Sequence, residues 1–186
     1  MKNKSKTSKS TLRILGVDPG TATTGWAILE EKSGEMKPLA YGHISTSPEK
    51  SDDERILEIS KDLKNIIEKY QPQEAGIEEI FFFKNQKTII TVAQARGAIL
   101  LTLRQNNVRV SNYTPLQVKQ AITGYGRADK KQMQTMTKSI LNLVELPKPD
   151  DTADAIAIAL CHINSRKINN LNRDSNQRMH SNLRIN

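Results

Sequence analysis

The chain of 186 residues reads as an α/β protein with a mixed five-stranded sheet flanked by helices. Three observations lead there. Three short apolar runs separated by turn signals open the chain, the pattern of an antiparallel meander. Beyond them, segments with apolar residues at helical spacing alternate with short apolar strands. Antiparallel strands followed by alternating helices and strands build a mixed sheet with helices packed on it.

Leu12–Val17 clusters Leu, Ile and Val and runs into Asp18-Pro19-Gly20, a strand closing on a turn. Thr23–Leu29, around Trp26, is a second strand, and Lys37–Ser45 a third. Ser51 and Glu54 have the spacing of a capping box. They open a helix through Ile56, Leu57, Ile59, Leu63, Ile66 and Ile67 that stops near Tyr70-Gln71-Pro72. Ala75–Ile80 is a short strand carrying Glu78 and Glu79. A long helix covers about residues 88–106, and Val108–Tyr113 is the fifth strand. Thr114-Pro115-Leu116-Gln117 joins a capping box to a proline at the first helical position. After the break at Gly124-Tyr125-Gly126, Asp129 opens a Lys-rich helix through about Val144. Pro147 and Pro149 mark a loop, and Asp150–Ile163 is the final helix. Gly97, inside the long helix, costs around 1 kcal/mol against Ala. Close approach of another helix, one from a second subunit included, would justify it.

Residues 12–163 form the folded domain. Residues 1–11 and 164–186 are basic tails with too little apolar content to fold alone, and are expected to be disordered. No run approaches a membrane span, and the basic, polar start does not read as a secretory signal. The single cysteine, Cys161, excludes an internal disulfide and a Cys-based zinc site, and a cytoplasmic setting is expected. The net charge of +8 equals the excess carried by the two tails, so the domain as a whole is neutral. Within it, Phe81–Leu143 holds ten basic residues against one acid, Asp129. A basic block beside scattered carboxylates suits a protein that holds a polyanion and does metal chemistry on it. A solvated helix surface would look the same by charge alone.

Four acids stand out by their settings. Asp18 ends an apolar strand, although Asp before Pro-Gly is also an ordinary turn residue. Glu78 lies on another apolar strand, where only one of Glu78 and Glu79 can face the core side. Asp151 and Asp154 lie three apart at the start of the last helix and project from one face. Asp150 is assigned to the N-cap of that helix, leaving Asp151 free. Asp154 sits in a nearly all-apolar helix, where a charge is costly unless paired or bound to metal. Carboxylate oxygens suit Mg²⁺. Two such ions roughly 3.5–4 Å apart can activate a water and stabilise the leaving oxygen in phosphodiester hydrolysis.

The order of motifs is more specific than the acids. Ile14-Leu15-Gly16-Val17-Asp18-Pro19-Gly20, with Thr24-Gly25, resembles the first motif of the RuvC nucleases, and Gly76-Ile77-Glu78-Glu79-Ile80-Phe81 resembles the second. Ala93-Gln94-Ala95-Arg96-Gly97 is similar to the family's helix signature. Val118-Lys119-Gln120 with Gly124, Gly126 and Lys130 is similar to its basic DNA-binding segment. Asp151-Thr152-Ala153-Asp154-Ala155 resembles the last motif. Together these span about residues 12–163.

The resemblance implies a ribonuclease-H-like fold, a homodimer, and paired nicks across a four-way DNA junction that leave a 5′-phosphate and a 3′-hydroxyl. It implies Asp18, Glu78, Asp151 and Asp154 as catalytic metal ligands, with Asp18 shared between two Mg²⁺ ions that Mn²⁺ can replace. Lys119 and Lys130 match positions that hold DNA phosphates, with Arg127 and Lys131 beside them. Phe81 matches an aromatic that touches bases at the opened junction. A RuvA–RuvB branch-migration complex is the implied partner. Some members carry His near the end of the last motif. This chain has Ala or Ile there, and His162 lies well down the helix as a helix-end residue. Three consecutive phenylalanines, Phe81–Phe83, cannot all point inward from a strand. An exposed Phe81 or Phe82 can stack on an unpaired base, or pack at a dimer interface.

Two other classes meet the same residues. An ATPase of the actin and sugar-kinase type shares the Asp18-Pro19-Gly20-Thr21 start, but needs two such domains and an adenosine site between them. A branched-DNA-binding protein without catalysis needs only the basic block, and four convergent carboxylates would then oppose binding by repulsion.

Overall fold

The computed structural model describes residues 11–80 and 86–182, leaving aside the side chains of 86–88 and 168–182. Five strands and five helices follow in the order β1 (Leu12–Asp18), β2 (Thr23–Lys32), β3 (Glu35–Ser45), α1 (Asp52–Tyr70), β4 (Glu74–Glu78), α2 (Gln86–Gln105), β5 (Arg109–Tyr113), α3 (Pro115–Thr123), α4 (Lys130–Ile140) and α5 (Asp150–Asn182). The strands form one sheet in the order β3-β2-β1-β4-β5. β1, β2 and β3 pair antiparallel, whereas β4 joins β1, and β5 joins β4, in parallel. The parallel joins follow from the helical crossovers α1 and α2.

Helices cover both faces. Leu15, Val17, Ile28, Ala75 and Ile77 pack with Ile59 and Leu63 of α1 and Ile99 and Leu103 of α2. Ile14, Ala27 and Leu29 pack with α5 and with Val118 and Ile122 of α3. The division obeys the two-residue alternation of a strand.

Local chemistry sets the helix starts. The Ser51 N–H donates to Glu54 at 2.9 Å. Thr114 Oγ1 accepts from the Gln117 N–H at 3.2 Å, with Pro115 at the first helical position. Asp129 Oδ1 accepts from the Gln132 N–H at 2.8 Å.

Two expectations are corrected. The Lys-rich helix ends at Ile140, not near Val144, because Asn142 takes a left-handed conformation at φ 51°. The last helix continues past Ile163 to Asn182, with no Gly or Pro on that stretch to stop it. Its next turn belongs to the domain. Asn164 donates to the Ala121 carbonyl at 3.1 Å, Arg166 lies 3.3 Å from Glu74, and Lys167 lies 2.9 Å from Glu31.

α5 lies on the sheet at backbone distance. A Cβ at Gly16 would collide with the Ala155 carbonyl, and one at Gly25 with the Asp151 carbonyl. Gly25→Ala therefore forces the first turn of α5 off the sheet, and a loss of about 1–3 kcal/mol or more is expected in urea unfolding. A wild-type midpoint in Gly25→Ala would contradict the packing.

Candidate active site

Strand alternation aims the acids. Gly16 and Asp18 of β1 face α5, as do Glu74, Gly76 and Glu78 of β4, with Gly76 against Ile158 and His162. Between the two glutamates the structure selects Glu78 for this face. Val17 pairs with Ile77 across the parallel register, so Asp18 and Glu78 end neighbouring strands. Gly25 is the cross-strand partner of Asp18. Because Gly25 admits the first turn of α5, Asp151 and Asp154 come down beside Asp18.

The four carboxylates act on one another. The Asp18 carboxyl is pushed up to about 8, by burial first and then by the charges of Glu78, Asp154 and Asp151, while Lys130 opposes the rise. Glu78 is pushed up to about 7 by burial and by Asp154. Burial also raises Asp154, against the pull of Lys130. Among the described residues no three acidic, His or Cys side chains stand in a ready-made ligand geometry. The acids meet as an electrostatic cluster that asks for protons or cations.

The cluster opens on a cleft of about 210 Å³ whose lining includes Glu78, Asp154, Lys119, Lys130, Val118 and Met133. Asp151 borders a separate cleft of about 410 Å³ with Thr21, Thr23 and Arg55. Lys119 and Lys130 line the first cleft together with Glu78 and Asp154. Arg127 and Lys131 are exposed and do not line that cleft. Phe81 lies outside the described residues.

Asp150 does not act as the side-chain N-cap of α5. It is the first residue of that helix, and its carboxylate takes Lys130 Nζ at 2.8 Å and Gln134 Nε2 at 3.4 Å. The backbone cap is the Pro149 carbonyl, which accepts from the Thr152 N–H at 3.0 Å. His162 is buried away from the cluster. Its Nδ1 lies 2.9 Å from Tyr113 Oη and its Nε2 lies 2.8 Å from a Glu74 carboxylate oxygen. Burial lowers the His162 pKa, against the pull of Glu74, and so favours the neutral ring.

Sequence reasoning missed Arg96. Its Nε donates to the Glu78 carbonyl at 3.1 Å and its Nη2 to Asn112 Oδ1 at 2.7 Å, so it clamps the end of β4 that carries Glu78. The signal was present in Ala93-Gln94-Ala95-Arg96-Gly97, a motif that marks Arg96 without naming its partner.

Solved structures share this architecture. The chain matches the Thermus thermophilus RuvC structure in complex with a Holliday junction substrate at a TM-score of 0.81, with 32% identity, covering 85% of this chain and 96% of that one. The yeast mitochondrial Holliday junction resolvase matches at a TM-score of 0.62 with 14% identity, over 86% of this chain and 80% of that one, a likeness of fold. Fold and site define a nuclease of the ribonuclease-H-like class. The family model for crossover junction endodeoxyribonuclease RuvC matches residues 14–162. A relative of that name from Caldicellulosiruptor saccharolyticus is 56% identical over 153 residues, which is 82% of this chain and 92% of the relative. The chain belongs to the RuvC family of crossover junction endodeoxyribonucleases, and is a hydrolase.

The raised carboxyl values carry a pH signature. Folded Asp18 keeps its proton up to about 8, against 3.8 ordinarily. The folded state therefore holds more protons than the unfolded one between those values, and the cation-free protein loses stability as pH rises through that window. Asp18→Asn removes this loss. Its melting temperature in a chelator should exceed wild type at pH 8, with the gap closing toward pH 5. Each kcal/mol of relieved repulsion is worth roughly 2–4 °C in a chain of this size. A gap that does not change with pH would contradict the cluster.

Proposed function

We propose that the protein resolves Holliday junctions by paired symmetric nicks during DNA recombination and repair. One observation carries the reading: Glu78 and Asp154, whose charges act on Asp18, line one cleft with Lys119 and Lys130. The carboxylates repel DNA phosphate while the lysines attract it, so the site is suited to a polyanion only when a cation joins the acids. The oxygen donors fit Mg²⁺, and Mn²⁺ can stand in. Asp18, Glu78, Asp151 and Asp154 would hold it, with Asp18 central because its charge couples to the other three. A pair of such ions, when bound, supplies an activated water and neutralises the leaving oxygen. Lys119 and Lys130 hold the phosphate in the cleft, and Arg127 and Lys131 extend the basic surface beyond it. Phe81, three residues after Glu78 in the sequence, is the aromatic that the motif assigns to an unpaired base near the cut. The products are a 5′-phosphate and a 3′-hydroxyl.

A homodimer matches the symmetry of a four-way junction. Ile90, Ala93, Gly97 and Leu101 recur along one exposed side of α2, where Ile90 and Leu101 are 59% and 60% exposed. Among the described residues, nothing lies within 4 Å of a Cβ added at Gly97. This apolar stripe supports α2 as the dimer face and accounts for the helical glycine. Ile90→Glu combined with Leu101→Glu should yield monomers in sedimentation with an unchanged circular dichroism spectrum, and retained dimers would rule out that face. Among the described residues no helix is long and apolar enough to cross a membrane. A DNA substrate and a lone buried cysteine favour the cytoplasm. A branch-migration complex of the RuvA–RuvB type is the partner such a nuclease would work beside.

The decisive test is cleavage of a synthetic four-way junction and a linear duplex, with and without Mg²⁺. Symmetric nicks confined to the junction are expected, lost without divalent cation and lost in Asp18→Asn and Glu78→Gln. Tight junction binding without cutting in any divalent cation would instead favour a non-catalytic branched-DNA-binding protein.

A further inference from the structure

Lys130 stands at the first position of α4, a helix start held by the Asp129 cap. Its ammonium lies 2.8 Å from Asp150 Oδ2 and 3.8 Å from Asp154 Oδ2. One turn along α4, Gln134 Nε2 donates to the other Asp150 oxygen at 3.4 Å. Both oxygens of Asp150 are thus engaged by α4, while Asp150 itself begins α5 beside Asp151. The pairing has a cost in freedom, because a lysine stem of four methylenes is confined to one place. Its return in stability is small, since both partners are more than half exposed. What it secures is location. The confined ammonium lies in the cleft that also holds Lys119 and Glu78.

We infer that Asp150 is a positioning residue for Lys130, anchoring its ammonium at the rim of the carboxylate cluster where a phosphate oxygen of the cut strand would meet it. This rests on the endonuclease reading. Asp154 could not do the same work, for at 3.8 Å it is the more distant partner, and a bound cation would claim its charge. The mutual pairing also holds the Asp150 carboxyl below its usual range and the Lys130 ammonium above its own.

The test reads Lys130 directly. The full chain, stripped of divalent cations, is treated with an amine-reactive reagent, and each lysine is quantified by mass spectrometry. Asp150→Asn should raise labelling of Lys130 by about 2–5-fold, the range an exposed ion pair allows, while Lys138 stays constant. In single-turnover cutting with saturating Mg²⁺, Asp150→Asn should slow the chemical step on the order of 10-fold with junction affinity nearly unchanged, as loss of positioning does. Asp150→Glu should recover most of the rate. Unchanged Lys130 labelling overturns the inference even if cutting slows, since Asp150 would then act on the cation or the helix. A wild-type rate in Asp150→Asn overturns it as well. A wild-type protein that cuts no junction would sink the endonuclease reading instead, while the labelling would still decide whether Asp150 holds Lys130.

Discussion

The approach of α5 to the sheet is the constraint on which the rest depends. A helix normally rests on a sheet through side chains on both surfaces. Here Gly16 and Gly25 remove the sheet's side of that layer, and the Ala155 and Asp151 carbonyls occupy the space. The helix answers with small residues of its own, Ala155 and Ala159 among them. The result is a helix end that drops to the level of the strand ends. Only there can two acids from strands and two from a helix share one centre.

Such a centre works against folding. Like charges in a partly buried place raise one another's pKa, and the free protein must keep protons on Asp18 and Glu78 that carboxylates ordinarily lose well below neutrality. The offset comes from the apolar run Ala155–Leu160, buried throughout, and from the far end of the contact. There Glu74 takes His162 at 2.8 Å and Arg109 at 2.6 Å, with Arg166 at 3.3 Å. Burial alone would raise Glu74, but His162, Arg166 and Arg109 outweigh it and keep its carboxyl low. A buried polar group stabilises only when its partners are complete. Each polar atom named in this network has one, so α5 is held in a single register against β4. The frustrated end of the helix carries the acids, and the satisfied end keeps it in place.

Much of this was legible in the chain. Strand and helix starts rest on short-range chemistry, such as Thr114 with Gln117 or the turn at Asp18-Pro19-Gly20, and short-range chemistry is written in consecutive residues. The strand acids were legible for the same reason: alternation makes Asp18 share a face with Gly16, and Glu78 with Gly76. The end of α4 was not, because a left-handed Asn142 is one of several conformations an asparagine accepts. The continuation of α5 past Ile163 was obscured by polar composition, since the ties of Asn164, Arg166 and Lys167 run to Ala121, Glu74 and Glu31, far away in sequence.

Asp150 shows where the division falls. The sequence by itself determined the layered α/β architecture and singled out four acids and two lysines as candidates, because pattern and motif are local properties. It left Asp150 looking like a helix cap, since an acid before an apolar helix has that local use. Only the tertiary structure decided otherwise, by setting the start of α4 against the start of α5 and offering Asp150 a cation at 2.8 Å. The same holds for Arg96, whose charge was visible and whose partner, the Glu78 carbonyl, was not. Residue identity sets what a side chain can bond to, and packing of distant segments selects which of those bonds is made.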